Sequence, residues 1–296
     1  MIKPNFFIVG APKCGTTAIN DYLQQHPDIF MAPKELHYFG ADLETKVKLS
    51  EQEYLKYFEN AEDKKIVGEA SVWYLFSKLA ANEIKKFSPD ARILIMLRNP
   101  LDVIYSMHSQ NLYDGNEDVN SFEQAIELDD DRKNGIHLAD AIDFYKMPAY
   151  KDSVLFYEQV KRYLDVFEKP NVHIIIYDDF AANPEKSLKE TLSFLGLSND
   201  LSINYKIINS NKQIKSFRLH RIIKKPPKRL KGMIRIVLPV KRIRHQIMKT
   251  FTEWNVSAKK RGEMNQQLRK KLKAELKDDI FLLSQLINKD LSGWLR

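Results

Sequence analysis

Apolar positions along this chain alternate between short, β-branched runs and stretches with helical periodicity. Phe6 to Val9, Ile29 to Ala32, Lys65 to Val67, Arg92 to Leu97 and Val172 to Tyr177 are near-continuous apolar runs with the length of buried strands. Between them lie segments that repeat at the helical period. Thr16 and Thr17 open one with Ala18, Ile19, Tyr22 and Leu23 on its apolar side, and His26-Pro27 ends it. Others are expected around Glu51 to Phe58, from Asp102 through Val103, Ile104 and Met107, over Tyr145 to Phe167, over Pro184 to Leu195 with Gly196 as its stop, and over Glu263 to Ile287. Residues 111 to 150 are irregular and polar, acidic at Asp129 to Asp131, with a helix-like run from Leu138. Strands alternating with helices predict an α/β fold, three layers deep, with a central parallel β-sheet of four or five strands flanked by helices.

Two helices carry long apolar stripes that predict a core-facing side. Tyr150, Val154, Tyr157, Val160, Tyr163, Leu164 and Phe167 form one; Leu268, Leu272, Leu276, Ile280, Leu283 and Leu286/Ile287 form the other. Trp73 and Tyr74 read as core packing.

The first run ends at Gly10, and Gly10 to Thr17 reads G-x-x-x-x-G-T-T between a strand and a helix. Loops of this form aim backbone N–H groups, the positive end of a helix and one lysine at a single point, so they hold phosphate or sulfate. The spacing is close to the nucleotide-triphosphatase loop, but Thr16 stands where that loop has its lysine, and the lysine here is Lys13. Lys13 cannot bridge β- and γ-phosphates from the helix start, which disfavours ATP or GTP hydrolysis. A second candidate anion site lies at Arg98, which closes the fourth apolar run, with Ser106 eight residues on. The C-terminal end of a parallel strand is where open α/β sheets bind ligands, and the arginine fork suits phosphate. The alternative for Arg98 is a capping pair with Asp102.

Ala11 to Thr17 (A-P-K-C-G-T-T) resembles the 5′-phosphosulfate loop of sulfotransferases, enzymes that move a sulfuryl group from 3′-phosphoadenosine 5′-phosphosulfate (PAPS) to an acceptor hydroxyl or amine. The likeness continues, in order and spacing, at Lys34 to Phe39 (KELHYF), Gly68 to Leu75 (GEASVWYL), Ile93 to Ser106, Val172 to Pro184 and Phe281 to Leu295. It covers most of the chain except residues 107 to 150 and 220 to 260, and an acceptor-binding insertion would lie at 111 to 150.

The resemblance implies a P-loop-like fold, PAPS as donor with PAP as product, and in-line displacement at sulfur without a metal. It implies that Lys13, Cys14, Gly15, Thr16 and Thr17 hold the 5′-phosphosulfate, through Lys13 and the loop N–H groups. Arg98 and Ser106 match the family residues on the 3′-phosphate, and Lys212, Ser216 and Arg218 are candidates for contacts that close over it. Glu35 maps onto the proposed base of carbohydrate sulfotransferases, and His37 competes because other branches use histidine. A sugar hydroxyl is the first expectation for the acceptor, with phenols or lipid alcohols behind it. The chain departs from the pattern at Val72, where relatives usually have proline, and at Ala70, where glycosaminoglycan-directed relatives have lysine; the second departure weighs against a heparan-like acceptor.

Composition adds three points. The 296 residues fit a single domain over 1–296, with a core over 1–211, a basic segment over 212–250 and a C-terminal helix over 263–289 packed back on the core. One cysteine, Cys14, allows no intramolecular disulfide, the first strand leaves no room for a secretory leader, and no run reaches the about 18 apolar residues of a membrane span. The expectation is a cytoplasmic protein beside the cytosolic PAPS pool, with peripheral membrane contact as a variant.

The net charge of +8 is concentrated, since Lys212 to Lys249 holds 14 Lys or Arg and no acid, leaving 33 basic against 39 acidic residues elsewhere, a balance of −6. Pro226-Pro227 and Pro239 keep this segment from being one helix. It reads as a solvated face, as a surface for anionic membrane with Ile222, Ile223, Met233, Ile234, Ile236, Val237 and Leu238 interleaved among the cations, or as a receiver of an acidic polymer; nucleic acid is not expected. Two other classes remain. A nucleotide kinase or ATPase would need lysine at position 16 and a Walker-B acid, and a basic membrane- or nucleic-acid-binding protein would carry the loop as a vestige.

Overall fold

The computed structural model describes residues 2–46, 48–138, 144, 146–199, 203–205, 212–224, 227, 240, 246–247, 250–251, 254–258 and 262–296. The five apolar runs form β1 (Phe6–Gly10), β2 (Ile29–Met31), β3 (Ile66–Ala70), β4 (Arg92–Leu97) and β5 (Val172–Ile176). They pair in the order β2-β3-β1-β4-β5, each pair parallel. Phe6, Phe7, Ile8 and Val9 of the central strand are fully buried. A strand covered on both faces needs no polar alternation, which is why these runs read as continuous. The chain lays β2 and β3 to one side of β1 and then crosses to add β4 and β5 on the other. Strand order therefore reverses at the C-terminal end of β1, where open sheets place their ligands.

The helices are α1 (Thr16–Leu23), α2 (Glu51–Lys56), α3 (Ala80–Phe87), α4 (Pro100–Asp114), α5 (Phe122–Glu127), α6 (Asp129–Lys133), α7 (Tyr150–Ser153), α8 (Phe156–Val166), α9 (Tyr177–Ala182), α10 (Pro184–Phe194), α11 (Phe217–Lys224) and α12 (Gln266–Ile287). Two short strands, β6 (Lys212–Ile214) and β7 (Val256–Ala258), pair antiparallel apart from the main sheet. Helix α1 packs with α10, α8 packs with α3 and α12, and α12 also packs with α4. Both expected stripes are buried where they matter, at Tyr150, Val154, Val160, Tyr163 and Phe167, and at Leu272, Leu276, Ile280 and Leu283.

The structure corrects several boundaries. The third strand extends to Ala70, so Gly68, Glu69 and Ala70 belong to the sheet rather than to the loop after it. Tyr177 opens α9 instead of ending β5, and α5 and α6 give the 111 to 150 region regular structure; the run expected from Leu138 falls on 139–143 and 145, outside the described residues. The expected helix over Tyr145 to Phe167 is two helices. Pro148 excludes a helix before α7, and Asp279 of α12 accepts the backbone N–H groups of Phe156 (2.9 Å) and Tyr157 (3.2 Å), fixing a new start for α8. Helix α12 begins three residues late, after Asn265 caps the N–H groups of Gln267 and Leu268. Most of the basic segment, including Lys228, Arg229, Lys231, Met233, Ile234, Ile236, Val237, Leu238, Arg242 and Arg244, lies outside the described residues. Among the described residues, no helix is long and apolar enough to cross a membrane.

Asp279 is the only side chain that caps α8 in this arrangement among the described residues, since Leu155 at the cap position provides none. Asp279→Ala is therefore expected to destabilise the fold by about 1 kcal/mol. The check is a urea titration, in which the midpoint falls while the slope stays constant.

Candidate active site

The chain from β1 to α1 makes its turn with no side chain at two places. A Cβ on Gly10 would stand 2.6 Å from Leu75 Cβ and 2.8 Å from the Val72 carbonyl oxygen. Gly15, with φ +91°, takes the left-handed conformation, and a Cβ there would meet the Tyr177 ring at 3.1 Å and Met96 at 3.3 Å. No side chain caps the start of α1, which leaves the positive end of the helix facing the loop mouth. Cys14 turns its side chain inward, where its thiol donates to the Pro12 carbonyl, and burial pushes that thiol up to about 12 against the opposing charges of Arg98 and Lys13. Its share in any anion contact is its backbone. Lys13, itself at φ +63°, reaches to α4, where its ammonium donates to Gln110 Oε1 at 3.1 Å.

The lysine missing from the helix start is compensated from another strand. Lys34, just beyond β2, donates from Nζ to Thr17 Oγ1 at 2.9 Å and to Thr16 Oγ1 at 3.4 Å, and stands 3.8 Å from Glu35 Oε1. Burial pulls its ammonium below the usual lysine range, with Glu35 opposing that shift. Sequence reasoning gave Lys34 no role, although it opens the KELHYF stretch. The readable signal was its step beside Glu35, but its reach to α1 depends on β2 lying two strands from β1.

Glu35 and His37 occupy left-handed backbone, at φ +63° and +51°, which is uncommon for residues with side chains. The segment after β3 holds them there. Glu35 N–H donates to the Ala70 carbonyl at 2.8 Å, its carboxylate accepts the Val72 N–H at 3.2 Å, and His37 Nε2 lies 3.5 Å from the same carboxylate oxygen. Proline at position 72 could not donate that bond, so the departure at Val72 adds a contact. Burial strips the Glu35 carboxylate of water and pushes it up to about 7; Lys34 and the Val72 N–H oppose the shift, and the nearby Glu69 charge adds to it. The side chain nevertheless keeps 37% of its surface exposed, so the residue is reachable from solvent.

At the end of β4, the Arg98 guanidinium lies over the Tyr177 ring, 4.5 Å from its centroid, and 3.6 Å from Asp102 Oδ2. The Asp102 pairing exists, but it leaves Arg98 Nε buried with no hydrogen-bond partner. A buried, unsatisfied N–H on a planar cation fits a phosphate oxygen. Ser106 is buried on α4, two turns below. Tyr177, which both carries Arg98 and roofs Gly15, was missed because its apolar run read as strand.

The last candidates stand apart. Ser216 is committed locally: its N–H donates to Asn255 Oδ1 at 3.0 Å and its hydroxyl accepts the Leu219 N–H at 3.4 Å. Helix α11 docks on α4 through His220 Nε2 and the Tyr113 carbonyl oxygen at 2.7 Å. For Lys212 and Arg218 only the backbone is described, and their side chains lie outside the described part. Direct contacts thus join Lys34, Glu35, His37, Thr16 and Thr17, while Lys13 reaches from the loop to α4 through Gln110 and Arg98 adjoins the loop through Tyr177.

A family model of the sulfotransferase domain matches residues 3–235. Among curated relatives, a membrane-associated sulfotransferase of Dictyostelium discoideum is 24% identical, covering 66% of this chain and 56% of its own length. Human carbohydrate sulfotransferase 15 is 28% identical over 66% of this chain and 44% of its own length. The chain thus spans about half the length of these curated relatives. A crystal structure of a sulfotransferase from Alicyclobacillus acidocaldarius is 29% identical and superposes with a TM-score of 0.74 over 100% of both chains.

Proposed function

The chain belongs to the sulfotransferase domain family, and we propose that it transfers a sulfuryl group from PAPS to a sugar hydroxyl with Glu35 as the base. The observation that carries this reading is the Lys34–Glu35 step, which sets a carboxylate of raised basicity beside an ammonium that already touches the anion loop. When bound, PAPS supplies the sulfuryl group and PAP departs with the electron pair of the broken S–O bond. Glu35 takes the proton of the attacking hydroxyl as the new O–S bond forms. Lys13, Lys34 and the backbone N–H groups of residues 13 to 17 face the negative charge that grows on the bridging phosphate oxygen and the sulfuryl oxygens. Cys14, Gly15, Thr16 and Thr17 contribute through their backbone, with the two threonine hydroxyls orienting Lys34. Arg98 and Ser106 hold the 3′-phosphate. Lys212, Ser216 and Arg218 remain candidates for its outer contacts. A carbohydrate acceptor is supported by the glutamate base and by the name that the human relative carries.

Glu35 works only when ionised. Because its carboxyl is raised to about 7, turnover should climb as pH rises through about 7 and fall below it. Glu35→Gln should keep PAP affinity and lose about 10² to 10⁴ in turnover. Near wild-type turnover in that variant transfers the role to His37, which His37→Ala then tests.

Arg98 is expected to act on binding, because the 3′-phosphate is remote from the bond that breaks. Wild type should prefer PAPS over adenosine 5′-phosphosulfate, which lacks that phosphate, and Arg98→Ala should lose much of the preference. An unchanged ratio removes Arg98 from the site.

For the basic segment we propose an anionic surface, membrane or acidic polymer, met by a protein of the cytoplasm. The apolar groups beside the charge support it: Trp254 is 66% exposed, Phe251 52% and Ile222 44%. Replacing Lys228, Arg229, Lys231, Arg242 and Arg244 by glutamine should spare PAP binding and weaken sedimentation with phosphatidylserine vesicles or retention on heparin. Wild-type association should fall steeply with salt. A wild-type protein that binds neither at low salt returns this segment to a solvated face.

A further inference from the structure

Glu69 is a carboxylate with no surface exposure, set in β3 next to the central strand, and the reaction above leaves it unused. Among the described residues no cation lies within ion-pair distance of it. Three hydroxyls satisfy it instead. Ser71 Oγ and Tyr74 OH both donate to Oε1 at 2.7 Å, and Tyr54 OH donates to Oε2. Each hydroxyl has one proton, so a hydroxyl that gives its proton to Glu69 has only lone pairs left for other groups. Those lone pairs are used. Ser71 Oγ accepts the His37 N–H at 3.2 Å, and Tyr74 OH accepts the Tyr38 and Phe39 N–H groups at 2.9 and 3.2 Å. Tyr54 adds a ring, stacked on Tyr38 with centroids 4.1 Å apart.

We propose that Glu69, through Ser71 and Tyr74, is the positioning residue of the Glu35–His37 loop: its acceptor oxygen fixes the direction of two hydroxyls so that they must accept three consecutive loop amides. This rests on the reading of Glu35 as base and deepens it. The loop needs such struts because Glu35 and His37 sit in left-handed backbone, which costs on the order of 1–3 kcal/mol per residue and persists only where surroundings hold it. The struts come from GEASVWYL. Ala70 offers its carbonyl to Glu35 N–H, Ser71 its hydroxyl to His37 N–H, Val72 its N–H to the Glu35 carboxylate, and Tyr74 its hydroxyl to Tyr38 and Phe39. Glu69 does not touch substrate. Without its acceptor, Ser71 and Tyr74 hydroxyls are free to turn their protons toward the loop amides, and donor then meets donor.

The test reads the loop directly and needs neither donor nor acceptor substrate, so it stands apart from whether the protein transfers sulfate. In the full-length, isotope-labelled protein, amide hydrogen exchange at His37, Tyr38 and Phe39 is followed by NMR together with the pH titration of the Glu35 carboxyl carbon. Ser71→Ala should speed exchange at His37 by about tenfold or more while leaving Tyr38 and Phe39 slow, and Tyr74→Phe should do the reverse. In both, the Glu35 midpoint should fall from about 7 toward the ordinary carboxylate range as the carboxylate becomes better solvated. The titratable groups facing it there are Lys34, His37 and Glu69, which both variants retain. Glu69→Gln keeps a carbonyl oxygen for Ser71 and Tyr74 with its amide toward Tyr54, so exchange at the three amides should stay slow. Glu69→Met, which keeps length but has no acceptor oxygen, should speed all three. If Glu69→Met does not fold, the two single-hydroxyl variants decide. Unchanged exchange in Ser71→Ala and Tyr74→Phe overturns the proposal, and so does uniform acceleration across β1 and β4, which would make the network a matter of global stability alone.

Discussion

Everything in the candidate site hangs on how closely the chain after β3 approaches the end of β1. The Leu75 N–H donates to the Val9 carbonyl oxygen at 2.8 Å, and the backbone at Gly10 is too near Val72 and Leu75 for a side chain. That contact ties the anion loop to the segment from Glu69 to Tyr74. The same segment grips the Glu35–His37 loop. Loop and carboxylate are therefore held by one piece of chain, and Lys34 bridges the gap that this backbone approach sets between them. Parallel sheets favour this outcome, since all their C-terminal ends open on one side.

Charge is distributed around that frame in a way that leaves little slack. Lys13, Lys34 and Arg98 bring like charges to one region, and each is given a local companion: Gln110, the two threonine hydroxyls, and the Tyr177 face with Asp102. Of these companions only Asp102 carries a full negative charge, and Glu35 lies farther off, 3.8 Å from Lys34. Neutral partners orient a cation while leaving its charge available to an anion, so the region stays attractive to phosphate and sulfate.

The sheet was legible because both of its faces are covered, which makes each strand an uninterrupted apolar run; Arg92 to Leu97 was read to the residue. The anion loop was legible because glycine spacing is a local constraint. What escaped depended on distant chain. The break between α7 and α8 is set by Asp279, more than a hundred residues away, and local periodicity carries no trace of it. Lys34 sits beside a residue singled out from sequence, but its partners are on α1. Glu69 follows Gly68 and stands two residues before Ser71, a setting that reads as loop, whereas its burial comes from pairing beside Phe7 and from hydroxyls supplied by α2 and by the turn after β3.

The left-handed backbone at positions 35 and 37 sets the comfort of the fold against the chemistry of its residues. Glycine or asparagine would relax there more readily than glutamate or histidine. A library of variants screened for heat resistance alone would therefore drift toward those smaller residues and would discard the carboxylate without registering a loss. If Glu35 is the base, as proposed, thermal ranking and catalytic ranking point in opposite directions at position 35, and a consensus drawn from the hardiest variants would be a well-folded protein without that carboxylate.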